Sequence, residues 1–136
     1  MGTARPLTKK SISDLLNKGG SLARYDLRGL DLSGVCFDNA DLTEAKLAGC
    51  NLSRATFRHA NLTDASLWQT DCKDAVFDGA LLDATDLDLA NLDGASFKGA
   101  RLKKAILPNG KVALDEITSS VRTGRRVAMS RIDSDP

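Results

Sequence analysis

Residues 40–62 read ADLTEAKLAGCNLSRATFRHANL, and a five-residue pattern runs through them. A Leu or Phe stands at every fifth position, a small residue stands two places before it, and Asp or Asn often lies between them. The phase holds for seventeen consecutive units, from Tyr25 to Asn109, with Cys72 replacing the central residue once. This internal repeat outweighs local propensities as a guide to the fold.

A period of five matches neither regular element. Positions five apart are smeared around an α-helix, which turns 100° per residue, and a continuous strand has a period of two. We therefore expect each unit to consist of three extended residues and a two-residue corner. The small and central residues then point inward, and the residue between them points outward. Gly at the second corner position, as in Gly29 and Gly34, indicates a turn with positive φ, which Asn39 and His59 also tolerate.

A second period of twenty predicts how many units close one coil. The four phenylalanines recur at this spacing, as Phe37, Phe57, Phe77 and Phe97. If four units form one square coil, these rings form one buried column. The same reasoning predicts a second core column of Leu42, Leu62, Leu82 and Leu102.

The A(D/N)LxX run resembles the pentapeptide repeat proteins, and the resemblance covers residues 25–109. It implies an all-β solenoid: a right-handed quadrilateral parallel β-helix of about four coils, whose neighbouring coils lie about 4.8 Å apart. The first corner positions of the phenylalanine side would then stack Asp38, Arg58, Asp78 and Lys98 as an ion-pair ladder, worth about 0.2–1 kcal/mol per pair.

The segments outside the repeat are expected to cap it. In residues 1–24, Thr8 is a suitable N-cap, and an apolar stripe with a stop at Gly19 predicts a helix near 9–18. Leu7 and Ile12 are spaced as a hydrophobic staple. This helix should lie over the first coil, where it should meet the enlarged inward residues Tyr25, Leu30 and Val35.

Residues 110–136 form a C-terminal cap or tail. Apolar spacing predicts a short helix over 113–122, which Gly124 could end. The remainder, RRVAMSRIDSDP, has three open interpretations: a tail, an added strand or a partner-binding arm.

Composition excludes several classes of protein. The chain has 136 residues, a net charge of +1 and no apolar run of transmembrane length, so neither nucleic-acid nor membrane binding is expected. Three cysteines without CxxC spacing support neither disulfides nor a zinc site. Cys50 and Cys72 point inward by phase and Cys36 outward, which is typical of reduced thiols in a cytoplasmic protein.

The polar residues form no catalytic, cofactor-binding or metal-binding pattern. His59 has no nucleophile placed with it, and a filled interior leaves no pocket, so no enzymatic activity is expected. Four aspartates invite a calcium interpretation, but their phases distribute them over three sides: Asp83, Asp86, Asp88 and Asp93.

Trp68 and Leu89 are the candidate partner-binding residues. Both fall at outward corner positions of the same side, one coil apart. An exposed Trp beside an exposed Leu is typical of a protein-binding patch. The other interpretations are cover by the C-terminal segment, or an isolated surface Trp.

We therefore expect a non-enzymatic protein-interaction or scaffold module with an unknown partner, present as a monomer or as a dimer through one end. The alternative is a DNA mimic that inhibits or protects DNA gyrase, a type II topoisomerase, as in the quinolone-resistance branch that the repeat resembles. A further alternative is a bacterial secreted effector or its partner. Basic residues that interrupt the acidic columns, including Arg58, Lys98 and Arg101, weaken the gyrase interpretation.

Overall fold

A computed structural model describes residues 7–108 and 110–128, apart from the side chains of residues 110–113. Helix α1 spans Lys9–Asn17 and helix α2 spans Gly110–Thr123. Between them lies a four-sided solenoid, and a segment without regular secondary structure follows α2 over residues 124–128. The order is thus a helix, a stack of coils, a helix and a short irregular segment.

The coils are joined by parallel pairing between residues twenty positions apart, such as Asp31 with Asn51 and Asn51 with Asp71. Each side of a coil contributes one bridging residue, so the described residues form isolated parallel bridges and no longer strand. This geometry confirms the four-unit coil. The corner interrupts the extended backbone after three residues, which is why no continuous strand forms.

The second corner position has a positive φ throughout the solenoid, from +56° at Gln69 to +76° at Gly94. Asn39 and His59 adopt this conformation as expected, and Arg54 and Leu89 adopt it as well. Such a backbone costs a side-chain-bearing residue about 1–2 kcal/mol. Hydrogen bonds of the turn and of the neighbouring coil hold the corner in place, so these residues are tolerated there.

The four phenylalanine rings form one stack at the centre of the solenoid. Successive ring centroids are 4.9, 4.9 and 5.0 Å apart, and the planes are within 9° of parallel. All four phenylalanine side chains are fully buried, which confirms that column. Leu42, Leu62 and Leu82 are fully buried as well, which confirms the first three residues of the leucine column. Leu102 is only partly buried and is a correction to the predicted core, because no further coil covers that side.

Helix α1 begins at the expected cap. The Thr8 side chain accepts a hydrogen bond from the Ser11 N–H, and the Ser11 hydroxyl accepts one from the Thr8 N–H. Ile12 is fully buried. Lys9 Nζ lies 3.0 Å from Ser33 Oγ, which places the start of the helix beside the unit that contains Ser33. Tyr25 is consequently not covered: it remains 36% exposed, contrary to the expectation.

The other two enlarged residues of the first coil follow the prediction more closely. Val35 is buried, and Leu30 is half-buried against the core. Gly19 has a φ of +76° just beyond α1, as the predicted helix stop requires.

Helix α2 closes the last coil. It begins earlier and ends one residue later than predicted, and Gly124 follows it with a φ of +78°. In earlier coils the Phe N–H donates to the coil above, but above Phe97 no coil remains. Ser120 Oγ accepts that hydrogen bond instead, at 2.9 Å, and Val121 O accepts the N–H of Gly99 at 2.9 Å.

The segment after α2 pairs with the same open edge. Val127 O accepts from the Gly94 N–H at 2.7 Å, and the Val127 N–H donates to Ala95 O at 2.8 Å. The Val127 side chain is buried. Val127 therefore pairs with the coil edge, as the added-strand interpretation requires, but residues 124–128 form no strand or β-bridge. Residues 129–136 lie outside the described part of the chain.

The stacked rings lead to a stability prediction. Phe57→Ala removes a ring held between two others, and the hydrogen-bonded coils cannot close the gap. We expect a loss of about 3–5 kcal/mol in the free energy of unfolding, measured by chemical denaturation. Trp68→Ala, a large substitution at an exposed position, serves as the control and should change it little. Equal midpoints for the wild type and Phe57→Ala would contradict the packed column.

A second prediction concerns the C-terminal cap. Ser120→Ala leaves the buried N–H of Phe97 without its acceptor, so we expect a destabilisation of about 1–3 kcal/mol in thermal or chemical unfolding. Ser119→Ala, one position earlier on the same helix, is the matched control. Similar effects of the two substitutions would argue against α2 closing the coil through Ser120.

Candidate protein-binding surface

One side of the solenoid, here called the tryptophan wall, carries both candidate residues. It consists of five stacked units: level 1 (25–29), level 2 (45–49), level 3 (65–69), level 4 (85–89) and level 5 (105–108). Its bridging residues run in the order Asp26, Lys46, Ser66, Asp86 and Ile106.

Trp68 and Leu89 are exposed, with 41% and 55% of their surface accessible. The Gln69 N–H donates to Asp88 O at 3.0 Å, which holds the corners of levels 3 and 4 together. The structure thus places the two residues on adjacent levels, as their phase predicted. Exposure excludes cover of Trp68 by residues 110–128; the binding role itself stays a proposal.

The tryptophan wall also carries an apolar residue that sequence reasoning missed, Ile106 on level 5, which is 52% exposed. Tyr25 is at the inward position of level 1 and is 36% exposed at the uncovered edge of the first coil. Leu114, on α2, is the remaining exposed large apolar residue of the described chain. The outward phase of Ile106 predicts its exposure. The inward phase of Tyr25 predicts burial, which the structure does not show.

The tryptophan wall carries charges on levels 1, 2 and 4, and on level 1 the Arg28 guanidinium pairs with Asp26 at 2.7 Å. Lys46 lies on level 2, below Trp68, and is exposed. Asp86 and Asp88 lie on level 4, above Trp68, where Asp86 Oδ1 accepts from the Asp88 N–H at 2.9 Å. Among the residues that the structure describes, none of these three forms an ion pair within 4 Å.

Many Asp and Asn side chains on the other walls form hydrogen bonds with the backbone of the solenoid. The Oδ1 atom of the bridging Asp or Asn accepts a hydrogen bond from the N–H two residues later, at the first corner position. Examples are Asp31 with Ser33 at 3.1 Å and Asn51 with Ser53 at 3.0 Å. These Asx turns satisfy a donor that the coil-to-coil bonds do not use.

The aspartates of the predicted ladder on the phenylalanine side also accept hydrogen bonds from backbone N–H groups, but these groups belong to the next coil. Asp38 Oδ1 accepts from the backbone N–H of Arg58 at 2.9 Å, and Asp78 Oδ1 accepts from that of Lys98 at 3.1 Å. The Arg58 guanidinium lies 3.5 Å from the Asp38 carboxylate. The ladder is therefore chiefly a structural link between coils.

Hydrogen bonding favours the charged form of several wall carboxylates. The side chain of Arg28 lowers the pKa of Asp26 to about 2. The hydroxyl and N–H of Ser33 lower the pKa of Asp31, and those of Thr43 lower the pKa of Asp41.

The buried thiols are unreactive. Burial raises the pKa of Cys72 to about 12 and also raises that of Cys50, while Cys36 is exposed. Neither a cluster of three or more potential metal ligands nor a helix long and apolar enough to cross a membrane is found within residues 7–108 and 110–128.

A surface cleft of about 440 Å³ lies where α1 meets the first coil, bordered by Leu16, Cys36 and Asp41. It is a notch between the cap and the coil edge, so it departs from the expectation of a chain without pockets. The interior of the solenoid itself is filled by side chains.

These features define a solenoid repeat protein with a packed interior and one wall rich in exposed apolar side chains. The family model for pentapeptide repeats matches residues 40–71 and 70–107, with eight copies. The chain belongs to the pentapeptide repeat family, as its sequence resemblance predicted. No curated protein sequence matches it significantly.

Solved structures of the same family resemble this one. A pentapeptide repeat protein of Nostoc PCC 7120 matches with a TM-score of 0.71 and 30% identity, over 82% of this chain and 95% of its own. Rfr23 of the cyanobacterium Cyanothece 51142 matches with a TM-score of 0.61 and 26% identity, over 64% and 58%.

A thylakoid lumen protein of Arabidopsis thaliana matches with a TM-score of 0.57 and 33% identity, over 57% of this chain and 54% of its own. The chain thus spans little more than half the length of Rfr23 and of the Arabidopsis protein. The likeness extends to proteins of plants as well as of cyanobacteria.

The lowered carboxylate pKa values predict an acid-sensitive fold. A carboxylate whose pKa falls on folding stabilises the fold above its unfolded pKa of about 4, and this stabilisation is lost as the pH falls toward the folded pKa. Thermal stability should therefore decrease below about pH 4. In Asp31→Asn/Asp41→Asn the decrease should be shallower, since Asn keeps the acceptor, as Asn51 and Asn61 do, but does not titrate. Identical acid profiles would contradict this role.

Proposed function

We propose that this chain is a non-enzymatic protein-binding module that uses the tryptophan wall as its binding surface. The observation that carries the proposal is the exposure of Trp68 and Leu89 on adjacent levels of one wall. Trp is the residue type most enriched among residues that dominate binding energy at protein interfaces. A partner bound to this wall would remove the exposed apolar surface of both side chains from water, which favours association.

The solenoid supports this role mechanically. Every wall is tied to the coils above and below by backbone hydrogen bonds of 2.7–3.0 Å. Side chains on the wall therefore stand at fixed spacings, and less backbone freedom is lost when a partner binds. The free thiols of Cys36, Cys50 and Cys72 support a reducing, cytoplasmic location for this activity.

Inhibition of DNA gyrase by DNA mimicry is the less favoured function. A mimic of the phosphate backbone needs a sustained negative potential along the rod. Here Arg101 lies 2.6 Å from Asp83, and Arg58 lies 3.5 Å from Asp38, so cations interrupt the acidic columns. Many carboxylates are also engaged in Asx turns. No observation on the described chain favours the secreted-effector alternative.

Affinity capture from extracts of the source organism tests the proposal. We expect at least one protein to bind the wild type and to be lost with Trp68→Ala or Leu89→Ala. Leu114→Ala, an exposed apolar residue on α2, is the matched control and should retain the partner. Retention of every captured protein by the Trp68 and Leu89 variants would refute binding through this wall.

A gyrase supercoiling assay tests the alternative directly. We expect no potent inhibition by the wild type. Strong inhibition that persists in Trp68→Ala, but is abolished in Asp31→Asn/Asp71→Asn/Asp86→Asn, would instead establish electrostatic mimicry. The assay thus separates a binding site made of apolar groups from one made of carboxylates.

A further inference from the structure

We propose that the open C-terminal edge of another side of the solenoid binds an extended acidic segment of a partner protein, which adds to the stack as one further unit. This edge consists of residues 100–104 and is here called the lysine edge. Its side also contains the units 20–24, 40–44, 60–64 and 80–84, so it is not the tryptophan wall. The inference therefore goes beyond the proposed function and does not depend on it.

Backbone hydrogen bonding follows one pattern along this side. The Leu82 N–H donates to Arg101 O at 2.7 Å, and the Ala84 N–H donates to Lys103 O at 2.8 Å. Ala80 O accepts from the Arg101 N–H at 3.0 Å. A unit thus offers two N–H groups and one C=O to the unit stacked on it.

The same three groups of the lysine edge have no partner in the described chain. They are the N–H groups of Leu102 and Lys104 and the C=O of Ala100. On the neighbouring side, Ser120 Oγ and Val121 O accept from the open N–H groups, but no described residue of α2 or of the segment after it does so here. The lysine edge is therefore an unpaired edge for a parallel strand.

An extended peptide satisfies these three groups together. The register of the units below requires one residue whose N–H faces Ala100 O and whose C=O faces the Leu102 N–H. The C=O of the residue two positions later then faces the Lys104 N–H. Nucleic acids and lipids lack this alternation of main-chain donors and acceptors. Such β-augmentation gains affinity from main-chain hydrogen bonds, and the side chains give specificity.

Charge defines the outward side chains of the segment. The lysine edge carries Arg101, Lys103 and Lys104, which are all exposed, and it has no acidic residue. Arg101 is paired with Asp83 of the unit below at 2.6 Å. Neither lysine has an ion-pair partner within 4 Å in the described chain. Asp or Glu at the outward positions of the segment would lie beside these ammonium groups.

The other charged groups around the lysine edge leave it positive. Lys98 lies in the preceding unit, and the following unit, residues 105–108, carries no charge. α2 has as many basic as acidic residues, and Arg125 and Arg126 follow it. Asp83 is the acidic residue of the unit directly below. The carboxylates nearest to it on the adjacent sides lie lower in the stack: Asp78, Asp86 and Asp88.

The same charges disfavour a second copy of this chain as the occupant. Two lysine edges that met would bring Arg101, Lys103 and Lys104 against the same residues of the other chain, and like charges oppose association. The first unit of this side, residues 20–24, has Arg24 as its one charged residue and offers no carboxylate either. Lysines at an exposed edge commonly prevent pairing between like edges. An acidic segment of another protein escapes this repulsion.

Packing defines the inward side chain of the segment. Leu42, Leu62 and Leu82 are fully buried, because the next unit of the stack covers each of them. Leu102 lacks this cover and is only partly buried. An apolar side chain at the inward position of the bound segment would extend the column. The segment that fits is therefore apolar inward and acidic outward, in the alternation of a strand.

A titration followed by nuclear magnetic resonance tests the inference. The probe is the capped peptide Gly-Ala-Glu-Leu-Glu-Gly, which has the small, acidic and apolar residues in the order of one unit. We expect the amide resonances of Leu102 and Lys104 to shift most, and their hydrogen exchange to slow about tenfold or more at saturation. Affinity should fall as the salt concentration rises from about 50 mM to about 500 mM.

Two matched probes separate main-chain pairing from charge. Methylation of the amide nitrogen of the first Glu removes the N–H that would face Ala100 O, so affinity should fall about tenfold or more at an unchanged peptide charge. The same peptide with Lys in place of Glu should not bind. Equal affinity of the methylated and unmethylated peptides, or no shift at Leu102 and Lys104 with about 1 mM peptide, overturns the inference.

Variants of the chain locate the charge effect. Lys103→Glu/Lys104→Glu should weaken binding about tenfold or more. Lys18→Glu/Lys73→Glu makes the same change in net charge at exposed positions away from the lysine edge and is the matched control. Equal loss in both double variants would contradict a local site. Thermal unfolding verifies that each variant is folded, and the peptide series tests the wild type whatever its result.

Two further measurements separate the occupant and the surface. Slow exchange of the Leu102 and Lys104 amides in the free chain, lost on removal of residues 129–136, would assign the edge to this chain's own segment and overturn the inference. Trp68→Ala should bind the acidic peptide as the wild type does. Loss of Trp68-dependent capture would thus refute the proposed function alone, and loss of peptide binding would refute this inference alone.

Discussion

Each five-residue side of the solenoid has five backbone N–H groups to satisfy, and the structure is organised around that requirement. Residues 50–54 show the solution. The Cys50 N–H closes the turn onto Leu47 O, and three further N–H groups bond to the coils above and below. The fifth, that of Ser53, bonds to the side chain of Asn51 at 3.0 Å. The main role of the Asp or Asn of the repeat is therefore to accept a hydrogen bond from a backbone N–H, rather than to place a charge on the surface.

This constraint changes how the surface should be interpreted. An acidic repeat invites comparison with nucleic acid, but carboxylates such as Asp31 and Asp41 are held by the corner that follows them. At bridging positions where the repeat has another residue than Asp or Asn, the side chain does not form this turn and is available to contact a partner. On the tryptophan wall the bridging positions of levels 2, 3 and 5 are Lys46, Ser66 and Ile106, and the exposed apolar residues lie among them.

The candidate surface was predictable where its residues obey the phase of the repeat. Trp68 and Leu89 are outward by position, and the structure leaves both exposed. Ile106 follows the same rule. Tyr25 does not, because an inward residue of the first coil is buried only if a cap lies over it. Sequence placed the cap at residues 9–18, but it did not show which part of the coil edge α1 would cover.

The sequence by itself determined the repeat length, the four-sided closure and the phenylalanine column, since periods of five and twenty leave only one way to bury Leu and Phe. The sequence also predicted a helix at each end, but tertiary structure alone decided which residues of the end segments satisfy the open coil edges. Ser120, Val121 and Val127 pair with a coil edge that is distant in sequence, and no local spacing announces such a contact. Each internal coil pairs with a neighbouring coil of the same repeat, so its hydrogen bonds follow from the repeat itself. An end coil lacks one neighbour, so its open backbone groups bond to residues that only the folded chain brings close.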